Sequence, residues 1–418
     1  MNLPPMTHRG NDGLQVEDVS LREVATRFGT PCYVYSKAAL TQAYREFSAA
    51  FAGRDVMICY AVKANSNLAI LGLFAKLGAG FDIVSEGELA RVLAAGGDPR
   101  KVVFSGVGKR AEEMRAALAH NILCFNVESQ SELLRLSGVA REMGVRAAIS
   151  LRVNPDVDPK THPYIATGLK QNKFGVAFED ALALYRTASD LPSIDVIGID
   201  CHIGSQITEI APFGDALEKV LQLVDQLERE GIALHHLDLG GGIGIRYKDE
   251  QPIQIKHYAE TLKGILASRS QQLIFEPGRC FVGNAGLLLT QVEYIKQGGN
   301  RRFAIVDAAM NDLIRPALYE AYHEIVAVAP GANDESAQYD IVGPVCESGD
   351  FLGRDRDLCI EPGDLVAVLS AGAYGSVMSS NYNTRPRAAE VMIDGATIHL
   401  IRSRERVADL YAGEHLLP

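Results

Sequence analysis

The sequence has no CxxC pair and no HExxH pattern, so neither a structural nor a catalytic zinc site is expected. Its seven cysteines are odd in number and scattered without paired spacing. That excludes a disulfide framework and points to a reducing cytoplasm. Positive charge is in deficit: 41 Lys and Arg stand against 52 Asp and Glu, for a formal net charge of -11. With no basic run to track a phosphate backbone, nucleic acid is excluded as a partner. Long apolar runs are missing as well. The longest uncharged stretch, 365–378, contains Gly372 and Gly375 and is too short to span a bilayer, so no membrane segment is expected. Residues 1–13 are polar, with Pro and Gly, and lack the apolar centre of a signal peptide.

What is present is a large core and a rhythm. The chain has 418 residues, 47% of them hydrophobic and 22% charged, as in a soluble globular protein of two or three domains. A short helical pattern (Leu21, Val24, Ala25, Phe28) precedes a strand-like run at 32–35, and helical periodicity resumes over 37–51. Eight short apolar runs then follow, at 56–62, 80–83, 102–104, 124–126, 147–153, 196–202, 236–239 and 273–276. Amphipathic helical stretches separate them, which implies a parallel sheet covered by helices. Eight such units over roughly 230 residues match a (β/α)8 barrel. The alternative, an open doubly wound sheet, needs an early glycine-rich turn that is missing. After Arg279 the pattern turns to short strands broken by Gly, Pro and Asp, with few helices, chiefly around 316–319 and 372–378. The expected architecture is therefore α/β: a TIM-type (β/α)8 barrel over 34–282 and a second, mostly-β domain from 1–33 and 283–418. The strand at 32–35 precedes the barrel and could return to it.

Catalytic groups of such barrels sit at the C-terminal ends of the strands. Here those ends carry Lys63, Asp82, the Arg152–Asn154 segment, His202 with Gly204 and Ser205, Asp238 before Gly240–Gly242, and Glu276 before Gly278 and Arg279. A lysine at a strand end can simply reach solvent, or it can be a partly desolvated amine that attacks a carbonyl. Three glycines can be a tight turn or, after the seventh strand and beside Gly278, a phosphate cradle. Glu276 can pair with Arg279 or with a protonated pyridine nitrogen. His202 can be a core histidine or lie flat on a ring, and Asp82 can begin a turn or orient Lys63. Taken together, the second reading at each position describes a site for pyridoxal 5′-phosphate.

These segments resemble the fold-type III pyridoxal-phosphate decarboxylases, and among them the branch acting on meso-2,6-diaminoheptanedioate (meso-diaminopimelate). The resemblance rests on Tyr60-Ala61-Val62-Lys63-Ala64-Asn65, His202-Ile203-Gly204-Ser205-Gln206, Gly240-Gly241-Gly242 and Glu276-Pro277-Gly278-Arg279 in the barrel. In the second domain it rests on Gly343 to Asp350, Gly372-Ala373-Tyr374-Gly375 and Ser380 to Arg387. It covers nearly the whole chain, with the motifs in order. It implies that Lys63 carries the cofactor, that Asp82 lies beside it and that His202 packs on the ring. Ser205, Gly241, Gly278 and Tyr374 would bind its phosphate, Glu276 would pair with the ring nitrogen, and Arg279 would also contact the cofactor. Arg279, Arg315 and Tyr319 would grip the distal carboxylate of the substrate, with Tyr374 close by, and Glu347 would hold its distal ammonium. Cys346, donated across a homodimer interface, would return a proton after carbon dioxide leaves. Residues 162–175 would form a mobile loop near the site. The reaction would be the last step of lysine biosynthesis by this route.

The residue chemistry agrees. A spared carboxylate calls for arginine and a spared ammonium for glutamate. Arg315 alone could be a surface charge, and Cys346 could be an inert thiol. Decarboxylases of ornithine, arginine or carboxynorspermidine share the scaffold, but a diamine-forming enzyme needs no such arginine pair. A racemase would need a second acid–base group and would not favour Glu276. A regulatory relative without catalysis would be expected to lose Lys63, the phosphate glycines or the proton donor, and all are retained.

Overall fold

The computed structural model describes residues 3–4, 6–10, 13–158, 173–267, 269–329 and 336–418. Of the loop expected at 162–175, residues 162–172 lie outside the described residues. The chain divides into two compact units. One comprises residues 43–245 and 251–280. The other comprises residues 1–42, 246–250 and 281–418.

The first unit is a closed barrel of eight parallel strands: Val56–Ala61, Gly80–Ile83, Val102–Phe104, Cys124–Val127, Ala147–Asn154, Ile194–Asp200, His236–Asp238 and Gln272–Phe275. Each pairs with its successor, and the eighth pairs back onto the first through Leu273–Val56. A two-residue strand, Val176–Ala177, adds to the fifth. The strands read as apolar runs because both faces are covered. Inside, Cys59, Val103, Cys124 and Ile274 pack together. Outside, aromatic rings such as Tyr60 on Phe74, with centroids 4.5 Å apart, dock the helices. Helix starts follow capping chemistry: Ser85 and Ser129 accept from the N–H groups of Glu88 and Glu132.

The strands stop earlier than their apolar runs. The first ends at Ala61, and Lys63 lies in the 3-10 turn Val62–Ala64. The sixth ends at Asp200 and the eighth at Phe275, so His202 and Glu276 occupy the loops just beyond. The apolar pattern runs past the ladder because residues just beyond it, such as Val62, Cys201 and Glu276, are buried too.

The second unit is a mixed sheet in the order Phe351–Leu358, Ala337–Val342, Arg301–Val306, Gly286–Gly298, Cys32–Ser36, Ala389–Asp394, Thr397–Arg402. Leu365–Val368 pairs with both Gly286–Gly298 and Ile325–Ala327. Cys32–Ser36 does not return to the barrel. It pairs antiparallel with Gly286–Leu289 and parallel with Ala389–Ile393, and all five of its residues are buried. Three features escaped the sequence reading. The strand Phe351–Leu358 carries Gly and four charged residues, which hide its periodicity. The hairpin strands Thr7–Gly10 and Gly13–Val16 are too short to show one. The expected helix at 372–378 is a single 3-10 turn, Ser376–Met378. No helix among the described residues is long and apolar enough to cross a membrane.

Candidate active site

Lys63 is placed by its strand. Ala61 is in register with Asp82 of the neighbouring strand, so the turn after Ala61 brings the lysine back over that carboxylate. Lys63 Nζ lies 2.7 Å from Asp82 Oδ2. The lysine side chain is 36% exposed and the aspartate fully buried. The turn is held in place by Tyr60, whose hydroxyl donates to Asn65 O (2.9 Å), and by Asn65 Oδ1, which accepts from Asn67 N–H (3.1 Å).

Beneath the lysine the barrel mouth is acidic. Arg152, Asp200 and Asp238 are cross-strand partners on the fifth, sixth and seventh strands. Asp200, Asp238 and Glu276 bring carboxylate oxygens within 4.8 Å of one another. Asn126 Nδ2 and Ser105 Oγ donate to Glu276 Oε1 at 3.3 and 3.4 Å. Burial, then the Asp238 charge, push the Glu276 carboxyl well above its usual range, and the same two causes raise Asp200. Burial raises Asp238 to about 7. Arg152 answers part of this charge. Its Nε is 3.8 Å from Asp200, its Nη1 is 3.4 Å from Glu128, and Phe174 lies over its guanidinium at 5.0 Å.

His202 is oriented from the glycine loop. Gly241 N–H donates to His202 Nδ1 at 3.1 Å, so the ring proton sits on Nε2. Burial, with the Arg152 and Lys63 charges, depresses this imidazole well below its ordinary range, and the ring is neutral. In this conformation the Gly241 amide therefore orients the imidazole. Gly242 takes φ +103, and a Cβ on Gly241 would stand 2.2 Å from Glu276 O. Gly278 packs on Ala61 and Ala64. Arg279 Nη2 donates to Ser205 Oγ at 3.1 Å. The side chain of Gln206 bonds Ile245 from both ends, joining the loops after the sixth and seventh strands. Lys63, Asp82, His202, Ser205, Gly241, Glu276, Gly278 and Arg279 thus all stand at or just beyond the barrel strand ends.

The second unit carries the remaining candidates. Arg315 opens the short helix Arg315–Tyr319 and is buried, and Tyr319 follows one turn later on the same face. Arg315 Nη1 lies 3.1 Å from His323 Nε2, and its guanidinium lies over the Tyr247 ring. Cys346 and Glu347 are exposed on a loop whose base is pinned by Asp350, which accepts from Met310 and Val345 N–H groups. Asn383 Oδ1 accepts from Cys346 N–H (3.2 Å), and Tyr382 hydroxyl donates to Glu347 Oε1 (2.5 Å). Tyr374 is half-buried at φ +55, an unusual backbone for a non-glycine residue.

A family profile described as pyridoxal-dependent decarboxylase, pyridoxal binding domain, matches residues 37–283. The diaminopimelate decarboxylase of Pseudomonas aeruginosa is 60% identical over 97% of this chain and 97% of its own length. The chain belongs to the diaminopimelate decarboxylase family. The crystal structure of the Helicobacter pylori diaminopimelate decarboxylase complexed with L-lysine has a TM-score of 0.91 at 45% identity, covering 94% of this chain and 98% of that one. That of the M. jannaschii diaminopimelate decarboxylase in co-complex with L-lysine has a TM-score of 0.94 at 40% identity, covering 99% of both chains.

This member of the diaminopimelate decarboxylase family has a barrel mouth that suits a pyridoxal group on three counts. A lysine amine stands beside a carboxylate. Buried carboxylate oxygens, Asp82 Oδ1 and Asp200 Oδ1, have no hydrogen-bond partner among the described residues, so the site favours an added cationic N–H. The glycine loop has no room for a side chain at Gly241. Residues around the barrel mouth that carried no motif are Asn126, Glu128 and Asp200. Asp200 had a signal: it lies two residues before His202, on the inward-facing period of a strand. Asn126 had one as well, as the last residue of the fourth apolar run, whereas Glu128 is brought in by the loop beyond that strand and no spacing in the sequence marks it.

Proposed function

We propose that the protein decarboxylates meso-2,6-diaminoheptanedioate to L-lysine and carbon dioxide, with pyridoxal 5′-phosphate as cofactor and as a homodimer with shared active sites. The observation that carries this reading is identity of 60% to a diaminopimelate decarboxylase over nearly the full length of both chains. When bound, the cofactor supplies an electron sink for the pair left at Cα as carbon dioxide departs.

The chain's own residues would serve that chemistry as follows. Lys63 holds the cofactor through its amine, with Asp82 fixing the amine's position. Glu276 keeps a proton on the ring nitrogen, and the surrounding carboxylates favour that positive charge. The neutral His202 ring gives a flat, uncharged face for stacking. Ser205, Gly241, Gly278 and Tyr374 hold the phosphate. Arg279, Arg315 and Tyr319 bind the carboxylate that is kept, and Glu347 binds the ammonium that is kept. The Cys346 thiol gives its proton to Cα. Cys346 is exposed on its own chain, which supports its serving a second copy. All seven cysteines are free, in keeping with a reducing cytoplasm.

The test is carbon dioxide release from the cofactor-loaded protein with meso-diaminopimelate, ornithine, arginine and carboxynorspermidine offered separately. Release from diaminopimelate alone, with lysine formed, is the expected result. Release from one of the others overturns the assignment of Arg279, Arg315 and Glu347 to the distal end of the substrate.

A further inference from the structure

We propose that His323 is a positioning residue for substrate recognition: its neutral, Nδ1-protonated ring, together with Tyr247, aims the guanidinium of Arg315 at the retained carboxylate. The inference rests on the reading above, in which Arg315 binds that carboxylate.

The tautomer follows from the partners. His323 Nδ1 lies 2.9 Å from the backbone carbonyl of Leu369, which can only accept, so Nδ1 carries the proton. Nε2 then presents a lone pair, and Arg315 Nη1 lies 3.1 Å from it. A second ring proton would point an N–H at a guanidinium that has only donors, so this arrangement requires the neutral imidazole. His323 is fully buried and Arg315 is 7% exposed. An arginine held in so dry a place keeps one direction only if its environment over-determines it. The second constraint is Tyr247, whose ring centroid is 4.6 Å from the Arg315 guanidinium carbon. Its ring also meets His323 edge-on, at 5.2 Å and 78°. Guanidinium, imidazole and phenol thus form one packed group.

The chain builds this group locally. Glu320 ends the Arg315–Tyr319 helix in a left-handed conformation and turns the backbone, so His323, eight residues on, comes back beside Arg315. Arg356 Nη2 donates to His323 O at 3.1 Å and fastens the returning segment. A carboxylate needs a guanidinium fork in a set plane, and a hydrogen bond donated to the His323 acceptor together with the Tyr247 ring against its face helps to set that plane.

The test uses the cofactor-loaded enzyme with His323→Asn, His323→Gln, Tyr247→Leu and, as reference, Arg315→Lys. Asparagine keeps a donor where Nδ1 stood but removes the acceptor facing Arg315. Glutamine can return an acceptor there. For His323→Asn the KM for meso-diaminopimelate is expected to rise roughly tenfold or more while kcat stays within about twofold. His323→Gln should recover most of the loss. Inhibition by L-lysine, which has a carboxylate, should weaken in step with KM. Inhibition by 1,5-diaminopentane, which has none, should not change. Should His323→Asn fail to fold, Tyr247→Leu carries the same signature. Unchanged KM and lysine inhibition in the histidine and tyrosine variants, with Arg315→Lys impaired, overturn the inference alone. Equal weakening of both inhibitors overturns it as well, because it marks a general structural role. An Arg315→Lys enzyme with normal KM overturns the carboxylate reading beneath it.

Discussion

Gly241 and His202 are joined by a backbone-to-ring hydrogen bond of 3.1 Å, across the loops that follow the seventh and sixth barrel strands. The glycine amide selects the tautomer of the histidine, and the histidine is kept neutral by burial and by Arg152 and Lys63. A residue read from the sequence as part of an anion cradle is therefore seen to orient a neighbouring imidazole.

Gly241→Ala tests this coupling. The new methyl would stand 2.2 Å from the Glu276 carbonyl, so the loop must move and the His202 bond must break. Retention of pyridoxal 5′-phosphate through dialysis, followed by its visible absorbance, is expected to fall by roughly tenfold or more, as for loss of a hydrogen bond to a charged group. Full retention would mean that the loop tolerates the methyl and that the glycine is not required.

The shared active sites proposed above predict complementation. Lys63→Ala would remove the amine proposed to carry the cofactor, and Cys346→Ala would remove the proposed proton donor while leaving the cofactor bound. Each variant alone should be inactive or nearly so. Mixed and allowed to exchange subunits, equal amounts should recover about a quarter of wild-type activity, because half the dimers are mixed and each has one intact site. No recovery, with exchange demonstrated by mass, would place Cys346 in its own chain's site or outside it.

The acidic barrel mouth predicts a pH dependence in the cofactor-stripped protein. Burial raises Asp238 from 3.8 to about 7, so between those values the folded chain holds a proton that the unfolded chain has released. Its contribution is complete below about pH 4 and is lost as pH rises through about 7. Burial lowers His236 from 6.5 to about 4, which acts in the opposite sense over the same interval. The comparison that isolates the aspartate is therefore Asp238→Asn against wild type. The asparagine still accepts from Gly240 N–H, as Asp238 Oδ1 does at 2.9 Å. The variant should gain on wild type as pH rises from about 4 to about 7, by on the order of a few kcal/mol, read from melting temperature or denaturant unfolding. Parallel profiles would show that Asp238 does not hold that proton.

Much of this was legible before any fold was seen. Apolar runs alternating with amphipathic helical stretches announced the barrel, since a strand covered on both faces cannot hide its composition. Lys63, His202, Gly241 and Glu276 could be placed at the barrel mouth because sequence order specifies where each strand ends. The charged strand Phe351–Leu358 could not be read, because half-exposed strands lose their signal when the exposed face carries most of the residues. The strand Cys32–Ser36 had a readable type, but its sheet was set by partners more than 250 residues away, Gly286–Leu289 and Ala389–Ile393.

By itself, then, the sequence determined the eightfold strand–helix rhythm, the β-rich remainder and the residues standing at each strand end. Those follow from local periodicity and from chain order, which a linear string records. Only the tertiary structure decided the cross-strand row Arg152, Asp200 and Asp238, the neutral tautomers of His202 and His323, and the packing of Tyr247 on Arg315. Protonation and side-chain aim depend on which groups burial brings within a few ångströms. Strand register and loop return set those distances, and no spacing along the chain encodes them.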